Sequence, residues 1–531
     1  MKHKITHLPL LAVIGCLSTG AYAAITPANL FSDEAVFQQG VHLPVWGTAT
    51  ADEKQIIVNY RGQTQISDII DGKWRVDLEP LPASAKAATM TIQGRESRIA
   101  IDNTLVGEVW LASGQSNMEF GMNMFAKSNP EIRKDIDQAD DPLFRIIKVR
   151  KEAFHGEIGR NKSDWITCSP ATARGFSATA YYFARELRKQ KGVPVGIILC
   201  AWSGSAIETW IPQNKLSDDP DLQPIIEQYK TEVSKYTPQA YENLVMEAIR
   251  EQNAYDNRRD SGIERSQLGP RPKIPMGPKC PTRPGSHYDV MLRPLIPYAI
   301  KGVIWYQGET NGNQMDFRRG GPYLYRKLLA TMIKTWRGDW HDDTLPFIFV
   351  QLPSWKGKTL EGNEAYQGWA ELRDSQLQVF SETGHTGMAV TMDLGDFDDI
   401  HPWNKEAVGM RLALCAQQIA YGDAYRFSAG PVAKSYHIDN DSIRITFDYA
   451  DTGLVLNPEN HGFLICGPDR VFVPAKAICV ENTVKVWSDD VPDPIAVRYG
   501  WSNAFEPALL DKNGLPASPF RTDNFKLISQ Q

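Results

Sequence analysis

The sequence has few cysteines and no concentration of positive charge. Seven of its 531 residues are cysteine, too few for a scaffold held together by disulfide bonds. Lysine and arginine number 57 against 63 aspartates and glutamates, which gives a formal net charge of −6, and no long basic run interrupts this balance. The sequence therefore does not indicate a protein that binds nucleic acid or an anionic membrane surface.

Metal, phosphate and dinucleotide motifs are also missing. The sequence contains no HExxH motif and no pair of cysteines at zinc-binding spacing. It contains neither a P-loop nor a glycine-rich dinucleotide fingerprint. We therefore expect a function that uses no metal ion and no cofactor.

The N-terminus has the pattern of an export signal. Two lysines precede the apolar stretch "LPLLAVIGCL", and the small residues "AYA" follow at positions 21–23. We predict a signal peptide over residues 1–23 and a periplasmic or extracellular protein. Cys16 offers the alternative of a lipoprotein. Because no later stretch of about 20 residues is continuously apolar, no stable insertion into the membrane is expected.

The remaining chain divides into three parts by its hydrophobic pattern, as its length suggests. Residues 24–104 contain short β-rich runs broken by Gly, Asp and Pro, which predicts a small β domain. Residues 105–420 alternate strand-like and helical stretches, which predicts an α/β domain of three layers, a parallel sheet with helices on both faces. Residues 421–531 return to strands and predict a β-sandwich-like domain. Residues of about 213–285 are interpreted as irregular insertions in the α/β part.

Two helices and one disulfide bond are specific expectations. The stretches "SATAYYFARELRKQKG" and "PYLYRKLLATMIKTWRG" are predicted to be helices that end at their final glycine. Cys466 and Cys479 flank a possible hairpin and are the best candidates for a disulfide bond. Cys200 and Cys415 lie in apolar runs and are expected to be buried thiols.

Four strand-like runs are followed directly by polar loops. "GEVWL" precedes "ASGQSNMEF", "VPVGIILC" precedes "AWSGSAIE", "IKGVIWY" precedes "QGETNGN", and "TGMAVTMDL" precedes "GDFDDIHP". The carboxyl ends of parallel strands share one edge of a sheet, where ligands bind. The following residues are therefore expected to converge: Ser116, Gly204, Gln307, Asn311, Asp398 and His401. Simple polar turns are the alternative.

These residue types suit a serine hydrolase. His401 can take the proton of the Ser116 hydroxyl, because imidazole titrates near neutral pH. The backbone N–H groups of Ser116 and Gly204, with a side-chain amide from Gln307 or Asn311, can form an oxyanion hole.

Further residues stand within or next to the four polar loops. Trp110 and Trp305 are expected in the core, whereas Trp202 and Trp403 are candidate sugar contacts. Gln115 and Glu309 are also candidate substrate contacts, with a hydrogen-bonded bridge within the loop as the alternative for Glu309. Arg318, Arg319 and Arg373 are considered for a sugar carboxylate, but a solvated surface position is favoured for each of them.

The motifs "GQSNM", "WSGS", "WYQGETN" and "DDIHP" resemble, in this order, the four blocks of the SGNH hydrolase superfamily. With "LFSDEAVFQQGVHLPVWG" and "GLPASPFRTD" they are most similar to its sialate O-acetylesterase branch. The resemblance implies an SGNH-type sheet, Ser116 as nucleophile, His401 as base, and Gly204 with Gln307 or Asn311 as oxyanion donors. The D-x-x-H spacing of the superfamily selects Asp398 as the residue that orients His401. Asp399 or a carbonyl group is the alternative.

The implied function is removal of acetyl groups from O-acetylated sialic acid, at its 9-position, or from another acetylated glycan. An acetylesterase of plant polysaccharide (xylan or pectin) and a non-catalytic glycan-binding protein on a hydrolase fold are the alternatives. The chain keeps both Ser116 and His401, which favours an enzyme. The sequence does not indicate an oligomeric state.

Overall fold

The structure is a computed structural model that describes most of the chain after the N-terminal segment. The described residues are 24–95, 97–152, 163–313, 320–357, 367–423, 430–457 and 462–530. The predicted signal peptide at 1–23 lies outside them. Within the described ranges, no helix is long and apolar enough to span a bilayer.

Seven strands form the N-terminal part: β1 Ile25–Pro27, β2 Val36–Gln38, β3 Leu43–Ala49, β4 Gln55–Tyr60, β5 Gln63–Asp68, β6 Lys73–Leu78 and β7 Ser84–Gln93. β6 ("KWRVDL") alternates exposed and buried residues, as expected for a strand with one face on a core. β1, β3 and β6 form a small antiparallel sheet. The β-rich character predicted for this region is confirmed.

One long strand, β8 (Arg98–Gly114), connects this part to the rest of the protein. Its first half pairs antiparallel with β7, and its second half enters a large sheet between two parallel neighbours. The predicted boundary between residues 104 and 105 falls inside this strand. The N-terminal strands are thus continuous with the sheet that carries Ser116.

The large sheet has eleven strands, of which β2, β4, β5 and β7 lie off its main path. Six further strands join β8 on that path: β9 Asp141–Lys148, β10 Trp165–Cys168, β11 Val195–Ala201, β12 Gly302–Tyr306, β13 Phe347–Gln351 and β14 Thr386–Val390. Their order across the sheet is β10-β9-β11-β8-β12-β13-β14. All neighbours from β9 to β14 are parallel, and β10 adds an antiparallel edge. The fold is a mixed α/β fold with a large mixed sheet. β11, β12, β13 and β14 are buried along their whole length, which explains their continuous apolar sequences.

Twelve α-helices are found in the described ranges: α1 Ser116–Glu119, α2 Met122–Phe125, α3 Pro130–Asp137, α4 Ala178–Lys191, α5 Gln213–Ser217, α6 Gln223–Val233, α7 Pro238–Asp260, α8 Arg265–Leu268, α9 Glu309–Gly312, α10 Pro322–Trp340, α11 Gly368–Glu382 and α12 Lys405–Tyr421. Short 3-10 helices occur at Ala173–Gly175, Ile207–Trp210, Arg293–Leu295, Met392–Leu394 and Ile528–Gln530, and a π-helix at Tyr288–Leu292.

The helix boundaries follow local signals, with one exception. α4 begins after Ser177, whose hydroxyl accepts a hydrogen bond from the Ala180 N–H, and ends at Gly192 in a left-handed conformation. α10 begins at Pro322 as predicted but does not end at Gly338. It continues for two residues and is terminated by His341, which itself adopts the left-handed conformation.

The interpretation of residues 213–262 as irregular was wrong. α5, α6 and α7 occupy most of this stretch, and α7 alone has 23 residues. Its polar composition hid it, because only Tyr241, Val245 and Ala248 of α7 are buried. The proline-rich stretch 269–285 contains no helix or strand, as its prolines predicted.

The C-terminal region is built from ten strands: β15 Val432–Asp439, β16 Ser442–Asp448, β17 Leu454–Leu456, β18 Phe463–Cys466, β19 Val473–Pro474, β20 Lys476–Val480, β21 Thr483–Trp487, β22 Ala496–Tyr499, β23 Leu509–Asp511 and β24 Phe520–Arg521. They form two four-stranded sheets and one two-stranded sheet. The β-rich C-terminus is thus confirmed. Cys466 and Cys479 are free thiols on β18 and β20, which lie in different sheets, so the expected disulfide bond is absent. Cys200 and Cys415 are buried thiols, as predicted.

Candidate active site

Ser116 begins the short helix α1 directly after β8. Gly114, the last residue of β8, has φ +135°, and a Cβ atom there would collide with the carbonyl group of Tyr306 on β12. That same carbonyl oxygen accepts a hydrogen bond from the Gln115 N–H at 3.0 Å. Glycine is therefore required for β8 to end against β12 and to turn the chain into the nucleophile loop. Ser116 retains 6% exposure.

His401 lies beside Ser116. It belongs to the loop between β14 and α12, and its Nε2 atom is 2.9 Å from the Ser116 Oγ atom. The ring of Phe120 packs against the imidazole with 4.7 Å between ring centres. The structure thus brings together the serine and histidine that the sequence selected, in the geometry of a nucleophile and its base.

The acidic loop before His401 corrects the choice of the orienting carboxylate. Asp398 contacts Lys356 at 2.8 Å, and its side chain is 81% exposed. Asp399 Oδ1 lies 3.6 Å from His401 Nδ1 and accepts a hydrogen bond from the His401 N–H at 2.9 Å. Asp396 accepts hydrogen bonds from the N–H groups of both Asp398 and Asp399, and the bond from the His401 N–H keeps the Asp399 side chain near the imidazole. Asp399, and not the predicted Asp398, faces the imidazole.

Gly204 lies in the loop after β11, next to the nucleophile loop. The N–H of Trp202 donates to the Gly114 carbonyl at 3.0 Å, which ties the two loops together. Gly204 is exposed and has φ +74°. Among the described residues, nothing accepts a hydrogen bond from the backbone N–H of Ser116 or Gly204. Both groups are therefore available to a ligand.

Gln307 and Asn311 do not occupy the position expected of oxyanion donors. Both side chains are fully buried. Gln307 Nε2 is within hydrogen-bond distance of Gln115 Oε1, the Ser205 carbonyl and Asn311 Oδ1, at 3.2, 3.1 and 2.8 Å. Asn311 Nδ2 donates to the Gly320 carbonyl and to Glu208. Because the N–H groups of both amides are engaged within the protein, these residues connect the site loops and the prediction is corrected.

The side-chain amide of Gln115 differs from those of Gln307 and Asn311 in its hydrogen bonds. Its Oε1 atom accepts hydrogen bonds from Gln307 Nε2 and from the Thr310 N–H, at 3.2 and 3.3 Å. These two donors fix the orientation of the amide. Its Nε2 atom has no acceptor among the described residues. Gln115 therefore stays a candidate donor to the substrate.

The two loop tryptophans differ in exposure. Trp202 is half-buried and stacks on the imidazole of His287, with 4.7 Å between ring centres. Trp403 is 53% exposed. Trp110 and Trp305 are fully buried, which confirms their assignment to the core. Trp202 and Trp403 remain candidate sugar contacts.

Two proposed polar contacts are buried elsewhere. Glu309 is 1% exposed and accepts a hydrogen bond from Asn117 Nδ2, so it bridges two loops, as the sequence suggested, and is not exposed to a substrate. Arg373 is fully buried and donates hydrogen bonds to backbone carbonyl groups of residues 352, 353, 502 and 503. It therefore joins the sheet to the C-terminal region. Arg318 and Arg319 lie outside the described residues.

A charged cluster that the sequence did not reveal lies beside α1. Glu119, its last residue, accepts hydrogen bonds from the Ser203 N–H and hydroxyl, at 2.8 and 2.7 Å. Lys151 and Lys148 both approach the Glu119 carboxylate, at 2.7 and 3.9 Å. Burial opposes the ionised carboxylate, but the hydrogen bond and charge of Lys151 and the bonds from Ser203 outweigh it and hold the pKa of Glu119 below its ordinary value.

A second cluster, formed by Asn117, Glu309 and Lys405, lies beneath the nucleophile. Lys405 Nζ donates to Asn117 Oδ1 at 2.6 Å, and Asn117 Nδ2 donates to Glu309 Oε1 at 2.5 Å. Asn117 was visible in the "GQSNM" motif, but nothing in the sequence distinguishes Lys405 from a lysine on a helix surface.

In the described ranges, no group of three or more His, Cys, Asp or Glu side chains could hold a metal ion.

Comparison with known proteins finds similar proteins over most of the chain. The family described as "Carbohydrate esterase, sialic acid-specific acetylesterase" matches residues 106–249 and 283–417. The sialate O-acetylesterase of Rattus norvegicus is 26% identical over 539 residues, which cover 93% of each chain. That of Mus musculus is 25% identical over 498 residues, covering 86% of each chain. A carbohydrate acetylesterase from Xanthomonas citri has a similar crystal structure with a TM-score of 0.75 at 32% identity, over 94% of this chain and 100% of that one.

Proposed function

Because the chain is an esterase and belongs to the family of sialic acid-specific carbohydrate acetylesterases, we propose that it is an exported O-acetylesterase that removes acetyl groups from sialic acid, at the 9-position first. The observation that carries this proposal is the 2.9 Å distance between Ser116 Oγ and His401 Nε2. A serine hydroxyl becomes an effective nucleophile when a neighbouring imidazole takes its proton. The non-catalytic alternative leaves this pairing without a role.

The reaction follows from the positions of the two side chains. His401 Nε2 takes the Ser116 hydroxyl proton while Oγ attacks the acetyl carbonyl carbon. His401 then gives the proton to the sugar oxygen as the bond between that oxygen and the acetyl carbon breaks. A water molecule, deprotonated by His401, attacks the acetyl-serine carbonyl carbon. The bond between Oγ and the acetyl carbon then breaks, His401 returns the proton to Oγ, and acetate leaves. Asp399, at 3.6 Å from Nδ1, favours the tautomer that keeps Nε2 free to accept the proton.

The oxyanion of each tetrahedral intermediate needs hydrogen-bond donors. The backbone N–H groups of Ser116 and Gly204 fit this role, because no described residue accepts from either. Gln115 Nε2 is the side-chain donor that we propose in place of Gln307 and Asn311. Its amide orientation is already set by the two bonds to Oε1, so no reorganisation is required during the reaction.

An acidic sugar fits the charge beside the nucleophile helix. Lys148 and Lys151 share the single carboxylate of Glu119, so this cluster carries one positive charge more than negative. Both lysine side chains are partly exposed, and Lys151 Nζ also lies 5.2 Å from the ring centre of the half-buried Trp202. A carboxylate and a sugar face are the groups that a lysine and an indole bind together. This supports sialic acid over neutral sugars.

Three broader statements are part of the proposal. The mixed sheet with its parallel centre is proposed to be the three-layer sheet of the SGNH superfamily. The chain is proposed to consist of a β domain, a catalytic domain and a C-terminal β domain. Export through cleavage after Ala23 is proposed from the signal-like N-terminus. N-terminal sequencing of the mature protein from fractionated cells tests the proposed export. A protein that retains residues 1–23 and stays in the cytoplasm contradicts it.

The exposed Trp403 favours one competing substrate class. An open groove lined by Trp202 and Trp403 would suit acetylated xylan or pectin. Acetate release is therefore measured for 9-O-acetylated sialic acid, acetylated xylan, acetylated pectin and a short aryl acetate. We expect the highest kcat/KM for the sialic acid ester among the three glycans. A tenfold preference for xylan or pectin contradicts the sialate proposal and leaves the esterase mechanism intact, whereas no release from any ester supports the binding-protein alternative.

A further inference from the structure

The side chain of Asn117 lies between a buried cation and a buried carboxylate. Asn117, Lys405 and Glu309 are each only 1% exposed. The Lys405 ammonium donates to Asn117 Oδ1 at 2.6 Å, and Asn117 Nδ2 donates to Glu309 Oε1 at 2.5 Å. Asn117 is the residue after the nucleophile, so this arrangement is directly connected to the backbone of Ser116.

The two charged neighbours determine which way the Asn117 amide points. Lys405 Nζ donates to Oδ1 and the Glu309 carboxylate accepts from Nδ2, which is the orientation that a lysine ammonium and an ionised carboxylate select. In this orientation the second N–H of Nδ2 donates to the Ile400 carbonyl at 3.0 Å. Ile400 immediately precedes His401. The orientation of one amide therefore links the nucleophile loop to the loop of the base.

Lys405 is held in a site that is unusual for a lysine. Its Nζ atom lies 5.2 Å from the ring centres of both Phe125 and Tyr306, a distance at which an aromatic face attracts a cation. Burial lowers the pKa of Lys405 to about 7, while the charges of Glu309 and Asp399 oppose this shift. Burial also raises the pKa of Glu309 above its ordinary value. Two groups that are costly to bury are thus placed on either side of one amide.

We propose that Lys405 and Glu309 are positioning residues of the esterase reaction, which hold His401 at hydrogen-bond distance from Ser116 by fixing the orientation of the Asn117 amide. The proposal rests on the proposed function, since it assigns a role within the same site. Neither residue touches the substrate or the reacting atoms. Their effect is expected in the rate of the chemical step and not in substrate affinity.

The test measures four quantities for each variant. They are the rate at which an aryl fluorophosphonate labels Ser116, the thermal midpoint of unfolding, and kcat and KM for an aryl acetate. Lys405→Met should slow labelling and lower kcat by at least tenfold with KM within twofold of the wild type. Glu309→Gln should have a smaller effect, because Lys405 still orients the amide. Lys191→Met is the matched control. Lys191 is the last residue of α4 and contacts Asp423 and the Tyr421 ring. It precedes β11, whereas Gly204 follows the opposite end of that strand. This substitution should leave kcat unchanged.

The double variant Lys405→Met/Glu309→Gln distinguishes positioning from stabilisation. Without Lys405 the carboxylate of Glu309 is buried without its cation, so Glu309→Gln should raise the thermal midpoint relative to Lys405→Met alone. The glutamine amide can accept or donate, so Asn117 is then free to turn, and labelling should be at least as slow as in Lys405→Met. The double variant buries neither charge and carries the test by itself if Lys405→Met does not fold.

Several results would overturn the proposal. Labelling of Lys405→Met within twofold of the wild type is one. Recovery of both the thermal midpoint and the labelling rate in the double variant is another, because it would mean that Lys405 only stabilises the fold. A wild-type enzyme that hydrolyses the aryl acetate but is not labelled at Ser116 would overturn the proposed mechanism, and this inference with it.

Discussion

The Nε2 atom of His401 lies 2.9 Å from the Oγ atom of Ser116, although 285 positions separate the two residues in the sequence. The distance is a consequence of topology. Ser116 follows β8 and His401 follows β14, two strands of one sheet that run in the same direction. Residues that follow such strands meet at the same edge of the sheet.

Asp399 should matter for catalysis far more than Asp398. Asp399→Asn removes the carboxylate that lies 3.6 Å from His401 Nδ1, and we expect kcat to fall by about 10- to 100-fold, because the imidazole loses the charge that favours the reactive tautomer. Asp398→Asn removes only an exposed contact with Lys356 and should change kcat by less than about twofold. Steady-state kinetics with an aryl acetate measure both. Equal, mild effects would indicate a dyad in which another group orients His401.

Lys151 should contribute to the binding of acidic substrates only. We expect Lys151→Met to raise KM for 9-O-acetylated sialic acid by about tenfold, since it removes the surplus positive charge beside α1, and to leave the kinetics of a neutral aryl acetate unchanged. Lys134→Met removes a lysine from an exposed pair with Glu131 and serves as the control. An equal change in KM for both esters would contradict the assignment of this cluster to the sugar carboxylate.

His287 should make the protein sensitive to acid. It is fully buried between Trp202 and Trp210, and burial, with the charges of Lys151 and Arg283, lowers its pKa from 6.5 to about 3. Between these two pH values the unfolded chain binds a proton that the folded protein does not. The free energy of unfolding should therefore fall as the pH is lowered from 6.5 towards 3, by up to about 1.4 kcal/mol per pH unit from this group.

The contribution of His287 can be separated from that of other groups. Urea unfolding at pH 7 and pH 4.5 should show a smaller loss of stability on acidification in His287→Leu than in the wild type. His437→Leu, at an exposed position on β15, is the control and should behave as the wild type does. The same loss in all three proteins would mean that His287 is not kept neutral by its surroundings.

Much of the site was predictable because it follows from strand order. The runs that became β11, β12, β14 and the end of β8 are mostly apolar, and a polar loop follows each of them. A parallel sheet brings such loops together whatever lies between them in the sequence. Ser116, Gly204 and His401 could therefore be selected without knowledge of side-chain contacts.

The errors concern features that depend on contacts between distant side chains. Asp398 and Asp399 are adjacent residues of the same type, and the sequence does not show that the His401 N–H donates to Asp399 while Asp398 contacts Lys356. Gln307 was assigned to the oxyanion hole, but its amide is engaged by Gln115, 192 positions away, and by Ser205. The periodicity of a sequence does not reveal hydrogen-bond partners that lie far apart along the chain.

Lys405 is another residue whose surroundings could not be predicted from the sequence. A lysine at the first position of an amphipathic helix is typical of an exposed residue. It is buried here because Phe125, Tyr306 and Asn117, from three other segments, surround its ammonium group. The sequence contains all four residues but not their proximity.

The most direct test of the central claim is acetate release by Ser116→Ala, measured beside Ser113→Ala. Ser113 is buried on β8, three positions before Ser116, and its hydroxyl makes no hydrogen bond with any described residue, so its loss should leave kcat near the wild-type value. Ser116→Ala should lower kcat for 9-O-acetylated sialic acid and for an aryl acetate by at least about 10³-fold, with an unchanged circular dichroism spectrum. A folded Ser116→Ala variant that keeps more than about a tenth of the wild-type activity would contradict the assignment of Ser116 as the nucleophile.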